Sequence, residues 1–148
     1  MKPIETKSVF KSPWCELVAK TMSPGEPPYY SLQLPDYTAV IAITPERRVL
    51  AVRQYRPALE RYTVELPSGL VDGDENPETA ARRELLEETG YEAGEMQALG
   101  AMTPDNGRLG NRIWHFFAPA VKKLEVHTPE ARVEVLSYSL PELAGAIS

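Results

Sequence analysis

An α/β fold with a small antiparallel β-sheet near the N-terminus is expected for this chain. Short β-rich runs fill its first half and return after residue 95, and one well-capped helical segment lies between them. The 148 residues include 14 prolines, about twice the usual ~5% share, which divides the chain into short elements. Trp14–Lys20 and Tyr29–Leu34 are the first two strand candidates. The turn-rich SPGEPP between them makes them a hairpin or two strands of a small N-terminal sheet. Pro35-Asp36 then breaks the chain and separates an N-terminal β segment, residues 1–35, from a main domain, residues 36–148. Thr38–Thr44, Val49–Arg56 and Tyr62–Leu66 follow as strands divided by TPERR and PALER, and Pro67-Ser68-Gly69 closes this block. The helix should run from Pro77 to Thr89, with Asn76 as N-cap, Pro77 at the first helical position and Gly90 just past the end. Met96–Met102, Arg112–Val121 and Arg132–Tyr138 are later strands, the first two flanking the loop TPDNGRLGN. Ser139 and Glu142 form a capping box for a closing helix over Ser139–Ser148. A helix of roughly two turns gains little alone, so the natural chain is expected either to continue or to pack this end on the body.

Composition narrows the function classes. Apolar residues make up 43% and charged residues 25%, the balance of an ordinary globular domain. No run approaches ~18 apolar residues and no basic start precedes an apolar stretch, so a cytoplasmic location without membrane insertion is expected. Cys15 is the one cysteine, which excludes an internal disulfide, and its place in WCELVA predicts core packing. The net charge of −5 is concentrated: residues 69–91 hold seven acids against Arg82 and Arg83, and the rest balances at fourteen against fourteen. An acidic chain without a basic stripe argues against a nucleic-acid partner. A concentrated acidic patch points to a cation.

The helix carries that patch. At 100° per residue Glu84, Glu87 and Glu88 fall within a ~100° arc, below the small Ala80 and Ala81. They occupy the last two turns, where the helix dipole penalises each anion by ~0.3–1 kcal/mol and mutual repulsion adds to that. Arg83 can pair with Glu87, but one arginine does not neutralise three carboxylates. Two readings stand on the helix alone: a solvated acidic face, or a site for a divalent ion. Oxygen ligands without histidine or thiolate favour Mg²⁺ or Mn²⁺ over zinc.

The surrounding residues add a specific pattern. Gly69–Tyr91 reads GLVDGDENPETAARRELLEETGY and resembles the signature of the Nudix hydrolases: glycine, five residues, glutamate, seven residues, then R-E-U-x-E-E-x-G-U. Gly69, Glu75, Arg83, Glu84, Leu85, Glu87, Glu88 and Gly90 occupy its specified places, and Tyr91 stands where an aliphatic residue is usual. The resemblance implies a mixed β-sheet between helices. It also implies Glu84 and Glu88 as principal metal ligands, Glu87 beside them for a further ion or a metal-bound water, and the backbone carbonyl of Ser68 as a ligand. Glu75 and Arg83 would hold the loop against the helix, and Gly69, Gly73 and Gly90 would be turn and cap residues. Divalent ions held by carboxylates suit attack of water on a diphosphate, whose charge they neutralise.

Upstream, the QYR of VRQYRP, the entry ELPSG and the exit EETGY resemble the ADP-ribose and nucleoside-diphosphate-sugar pyrophosphatase branch. The implied reaction splits the diphosphate of such a substrate into a nucleoside monophosphate and a sugar phosphate. Alternatives are another Nudix substrate (a dinucleoside polyphosphate, NADH or an oxidised nucleoside triphosphate) or a non-catalytic nucleotide-binding domain. Arg53 and Arg56 point to opposite faces of their strand, so one of them, with Arg56 preferred, is expected to reach the diphosphate. Glu65 is a candidate for contact with substrate or metal-bound water. The catalytic base is expected at Glu130 in the segment EVHTPEARVEV, which also holds Glu125 and Glu134, or at Glu87. Trp114, Phe116 and Phe117 are expected in the core rather than against a nucleobase, and His115 and His127 lack metal-ligand spacing. By analogy with the same branch, the N-terminal strands would be exchanged across a homodimer.

Overall fold

The computed structural model describes residues 1–126 and 131–146. They form two compact units, one of residues 1–36 and 101–113, the other of residues 37–100 and the described residues from 114 onward.

The first unit is an antiparallel sheet ordered β1 (Glu5–Lys11), β2 (Glu16–Thr21), β3 (Tyr29–Gln33). β1 was not expected from the sequence: ETKSVFK is mostly polar, exposed along its whole length, and owes its extended form to pairing with β2. Residues 101–113 belong here because they return to β3. The Leu32 N–H donates to the Arg108 carbonyl at 2.8 Å, and the Gly110 N–H to the Leu32 carbonyl at 3.0 Å. Cys15 departs from its expected core position. It is half-buried in a turn, where its N–H donates to Ser12 Oγ at 3.1 Å.

The second unit holds β4 (Tyr37–Ala42), β5 (Val49–Arg56), β6 (Arg61–Glu65), β7 (Ser68–Leu70), α1 (Pro77–Thr89), β8 (Tyr91–Ala93), β9 (Gln97–Met102) up to Gly100, β10 (Ile113–Ala118) from Trp114, β11 (Val121–Lys123), β12 (Glu134–Tyr138) and α2 (Leu140–Ala146). Its strands are ordered β7-β4-β10-β9, β12-β5-β6 and β11-β8. β4 alternates half-buried and buried residues, the period-2 pattern of a strand covered unequally on its two faces. Its inward Val40 and Ala42 pack with Ala81 and Leu85 of α1 and with Leu50, Phe116, Ala118 and Val121. The opposite face of β4, β5 and β10 carries Ile41, Val49, Ala51 and Phe117, which with Leu140 and Leu143 of α2 line a cavity of about 610 Å³. Phe116 is a core residue and Trp114 packs half-buried against the core.

α1 has the expected ends. Asn76 Oδ1 accepts from the Glu78 N–H at 2.8 Å, and Gly90 caps the helix with φ of 75°. The expected break at Pro67-Ser68-Gly69 is in fact the start of a strand. β7 pairs antiparallel with β4 through Tyr37↔Leu70, Thr38↔Gly69 and Ala39↔Ser68. Three residues are too few to show alternation, so only the partner reveals them as a strand. That short strand sets the entrance of the loop against α1.

Candidate active site

The last two turns of α1 contain three glutamates and no basic residue in the final turn. Arg83 is placed to serve them from one turn earlier. Its Nη1 lies 2.6 Å from Glu84 Oε1 and 3.2 Å from Glu87 Oε2, and its Nη2 lies 3.0 Å from Glu75 Oε2. Nη2 also donates to the Leu70 carbonyl at 3.0 Å. Arg83 thus ties β7 and the loop to the helix while screening two carboxylates. Its pKa is pushed up, first by the hydrogen bond to Glu75 and then by Glu84, so it stays cationic. The Glu75 carboxyl is held below its usual range by the same hydrogen bond.

Glu84 and Glu88 point toward β7. A Cβ on Gly69 would fall 1.9 Å from Glu84 Cδ, so this glycine makes room for the carboxylate rather than forming a turn. The expectation of a turn or cap role holds for Gly73 and Gly90, whose φ angles are 50° and 75°, but not for Gly69. Burial pushes the Glu84 carboxyl above its usual pKa, against the opposing pull of Arg83. Glu88 is only 4% exposed and its Oε2 accepts the Ser68 N–H at 2.9 Å. Glu87 is the outermost of the three, its side chain 52% exposed.

The β5–β6 pair presents a second polar group. Arg56 Nε and Nη2 donate to Glu65 Oε1 and Oε2 at 2.9 and 2.6 Å, a two-pronged match of guanidinium to carboxylate. Thr63 Oγ1 donates to Glu65 as well. Arg56 holds the Glu65 pKa down, and Glu65 holds the Arg56 pKa up, with Glu88 adding to the field that Arg56 feels. Arg53, on the other strand face, pairs with Glu134 at 2.8 Å and stacks 4.3 Å from the centre of the Tyr62 ring. Tyr62 in turn meets Tyr55 edge to face at 5.5 Å. Arg53 is therefore engaged away from the carboxylate helix. Sequence reasoning did not single out Thr63, although its period-2 spacing from Glu65 puts both on the face of Arg56. Glu130 and His127 lie outside the described residues.

A divalent ion fits this donor set on chemistry and on backbone placement. All donors are oxygen, Glu88 is buried, Gly69 gives the half-buried Glu84 carboxylate its space, and that carboxylate keeps a desolvation penalty that Arg83 does not cancel. Among the described residues no three acid, histidine or cysteine side chains form a ready-made metal cage. The reason is visible: Arg83 holds Glu84 and Glu87 as their cation, and Glu88 is turned to Ser68.

A short strand, a glycine-led loop and a capped helix with clustered carboxylates, built on an α/β domain, define the Nudix class of architecture. The NUDIX domain model matches residues 34–146, and the chain belongs to that family. Over 91 residues it is 41% identical to the methanol dehydrogenase activator of Bacillus methanolicus and 38% identical to the ADP-ribose pyrophosphatase of Bacillus subtilis (strain 168). Each match covers 62% of this chain and 49% of the relative, so the chain spans about half the length of these proteins. The ADP-sugar pyrophosphatase of Mus musculus is 42% identical over 67 residues, covering 45% of this chain and 30% of its own. A solved structure described as an ADP compounds hydrolase aligns over 99% of this chain and 83% of its own with a TM-score of 0.75 at 20% identity, a likeness of fold.

Proposed function

We propose that the chain hydrolyses the diphosphate of ADP-ribose or a related nucleoside diphosphate sugar, with Mg²⁺ or Mn²⁺ as cofactor. The observation that carries this reading is the placement of Glu84, Glu87 and Glu88 on the last two turns of α1, beside Gly69 and Ser68 and with Arg83 as their paired cation. Support for the substrate class comes from relatives named for ADP-ribose and ADP-sugars. Glu84, Glu88 and the Ser68 carbonyl would hold the metal, with Glu87 at its outer side. When bound, the ion neutralises the diphosphate oxygens and acidifies water. Water then adds to one phosphorus, the P–O bond of the anhydride breaks, and the proton of the water passes to a base, Glu130 or Glu87. Arg56 is the candidate for a diphosphate oxygen, which would compete with Glu65 for its guanidinium. The Glu75–Arg83 pair keeps the loop on α1.

A cytoplasmic homodimer completes this reading, with β1–β3 as the dimerisation element; among the described residues no helix is long and apolar enough to cross a membrane. The test is a panel of ADP-ribose, other nucleotide sugars, NADH and dinucleoside polyphosphates incubated with Mg²⁺, with products identified. Conversion of ADP-ribose to AMP and ribose 5-phosphate, dependent on the ion, is the expected outcome. Absence of turnover for every nucleotide sugar in the panel would sink the proposal.

A further inference from the structure

Thr38 is fully buried, at 0% exposure, and its Oγ1 has no hydrogen-bond partner among the described residues. A hydroxyl in that state has lost its water and gained nothing in exchange, an arrangement that calls for a reason. Its position supplies one. Thr38 shares the inward face of β4 with Val40 and Ala42, which pack on α1, and it is the direct cross-strand partner of Gly69. Cross-strand partners set their Cβ atoms ~4.5–5.5 Å apart on one face of the sheet. Gly69 has no Cβ, and the place where one would stand is taken by the Glu84 carboxylate, 1.9 Å from that point at Cδ. The place across the strand from Thr38 that a side chain would fill is thus held by a carboxylate from α1.

We propose that Thr38 is a positioning residue for Glu84, its Oγ1–H donating to the carboxylate when Glu84 turns from Arg83 to a divalent ion. In the present arrangement Glu84 Oε1 is committed to Arg83 Nη1 at 2.6 Å, and the hydroxyl stands aside. Release of Glu84 from Arg83 takes away a donor, and Thr38 is the buried donor at hand on the sheet side. A hydrogen bond of this kind orients a ligating carboxylate, the usual work of groups just behind a metal's ligands. The inference rests on the metal reading above and adds a residue that the glutamate pattern on α1 does not contain.

The test compares Thr38→Val, which keeps the shape and removes the hydroxyl, with Thr38→Ser, which keeps the hydroxyl. Mn²⁺ binding to each protein without substrate is measured by electron paramagnetic resonance of the free ion, and Tm is recorded without metal. Expected are a Thr38→Val protein whose metal-free Tm equals or exceeds that of the wild type, with Mn²⁺ affinity reduced roughly tenfold, and near-normal affinity in Thr38→Ser. If Thr38→Val does not fold, Thr38→Ala takes its place with the same affinity criterion. A hydroxyl-free variant that binds Mn²⁺ as the wild type does overturns this inference alone. A wild-type protein that binds no Mn²⁺ overturns the metal reading and the inference together.

Discussion

On β5 and β6, Arg56 meets a single carboxylate through two parallel hydrogen bonds, and Thr63 adds a third to the same group. On α1, Arg83 is divided among Glu75, Glu84 and Glu87, and Glu88 turns to a backbone N–H. The strand pair is matched charge for charge, and its acid is held below the ordinary carboxylate pKa. The helix cluster has more anions than its cation can serve, and Glu84 is pushed the other way by burial. A matched pair explains itself as structure. A carboxylate whose pKa burial raises against the pull of its own arginine would gain from a further positive charge, since desolvation favours the neutral acid.

The largest effect that would separate the two regions is expected at Glu88. Glu88→Gln keeps an acceptor for the Ser68 N–H but removes a charge that a metal would need, so kcat/KM should fall roughly 10³–10⁵-fold with the fold intact. Near-normal turnover of this variant would show that the helix cluster is as structural as the strand pair. Next comes the base. If Glu130 accepts the proton of the attacking water, Glu130→Gln lowers kcat by ~10²–10⁴ with little change in KM, and Glu125→Gln leaves it within a few-fold. A larger loss in Glu87→Gln than in Glu130→Gln would move the base onto α1.

Gly69→Ala should uncouple stability from function. The added Cβ meets the far end of the Glu84 side chain at 1.9 Å, so the carboxylate is displaced while the strand survives. Metal affinity, read by calorimetric titration of Mn²⁺, should drop roughly 10–100-fold while Tm changes by no more than about 4 °C. An unaltered affinity would mean that Glu84 does its work from elsewhere.

The smallest effect is on stability against pH, where the two regions should slope oppositely. Glu65 has a lowered folded pKa, so its contribution is present above its unfolded pKa and is lost as pH falls through the folded value. Glu65→Gln should therefore cost on the order of 1 kcal/mol near neutrality and less in acid. Glu84 has a raised folded pKa, so its ionised form is unfavourable above that value and the penalty is relieved as pH falls through it. In metal-free buffer Glu84→Gln should gain stability at neutral pH, and the gain should shrink on acidification. Parallel slopes in the two Tm–pH series would remove the distinction between the regions.

Much of the site is local and was legible without coordinates. The spacing of Glu84, Glu87 and Glu88 on a 3.6-residue period puts them on one face whatever the helix packs against, and Asn76, Pro77 and Gly90 delimit that helix by backbone chemistry alone. The strand block from Val49 to Arg56 is equally local, since β-rich composition marks it. What tertiary structure decided are the pairings across gaps in sequence. β7 is a strand only because β4 lies beside it, and β1 only because of β2. Gly69 looks like a turn residue in sequence and becomes a seat for Glu84 through the approach of α1 to β7. The opposite faces of Arg56 and Arg53 follow from the local period, but that one meets Glu65 of β6 and the other Glu134 of β12 and Tyr62 depends on which strands pair with β5. Periodicity and capping depend on residues within a turn or two of one another and so can be read along the chain. Partners, burial and the resulting pKa directions depend on which distant segments meet, and that is settled only when the chain folds.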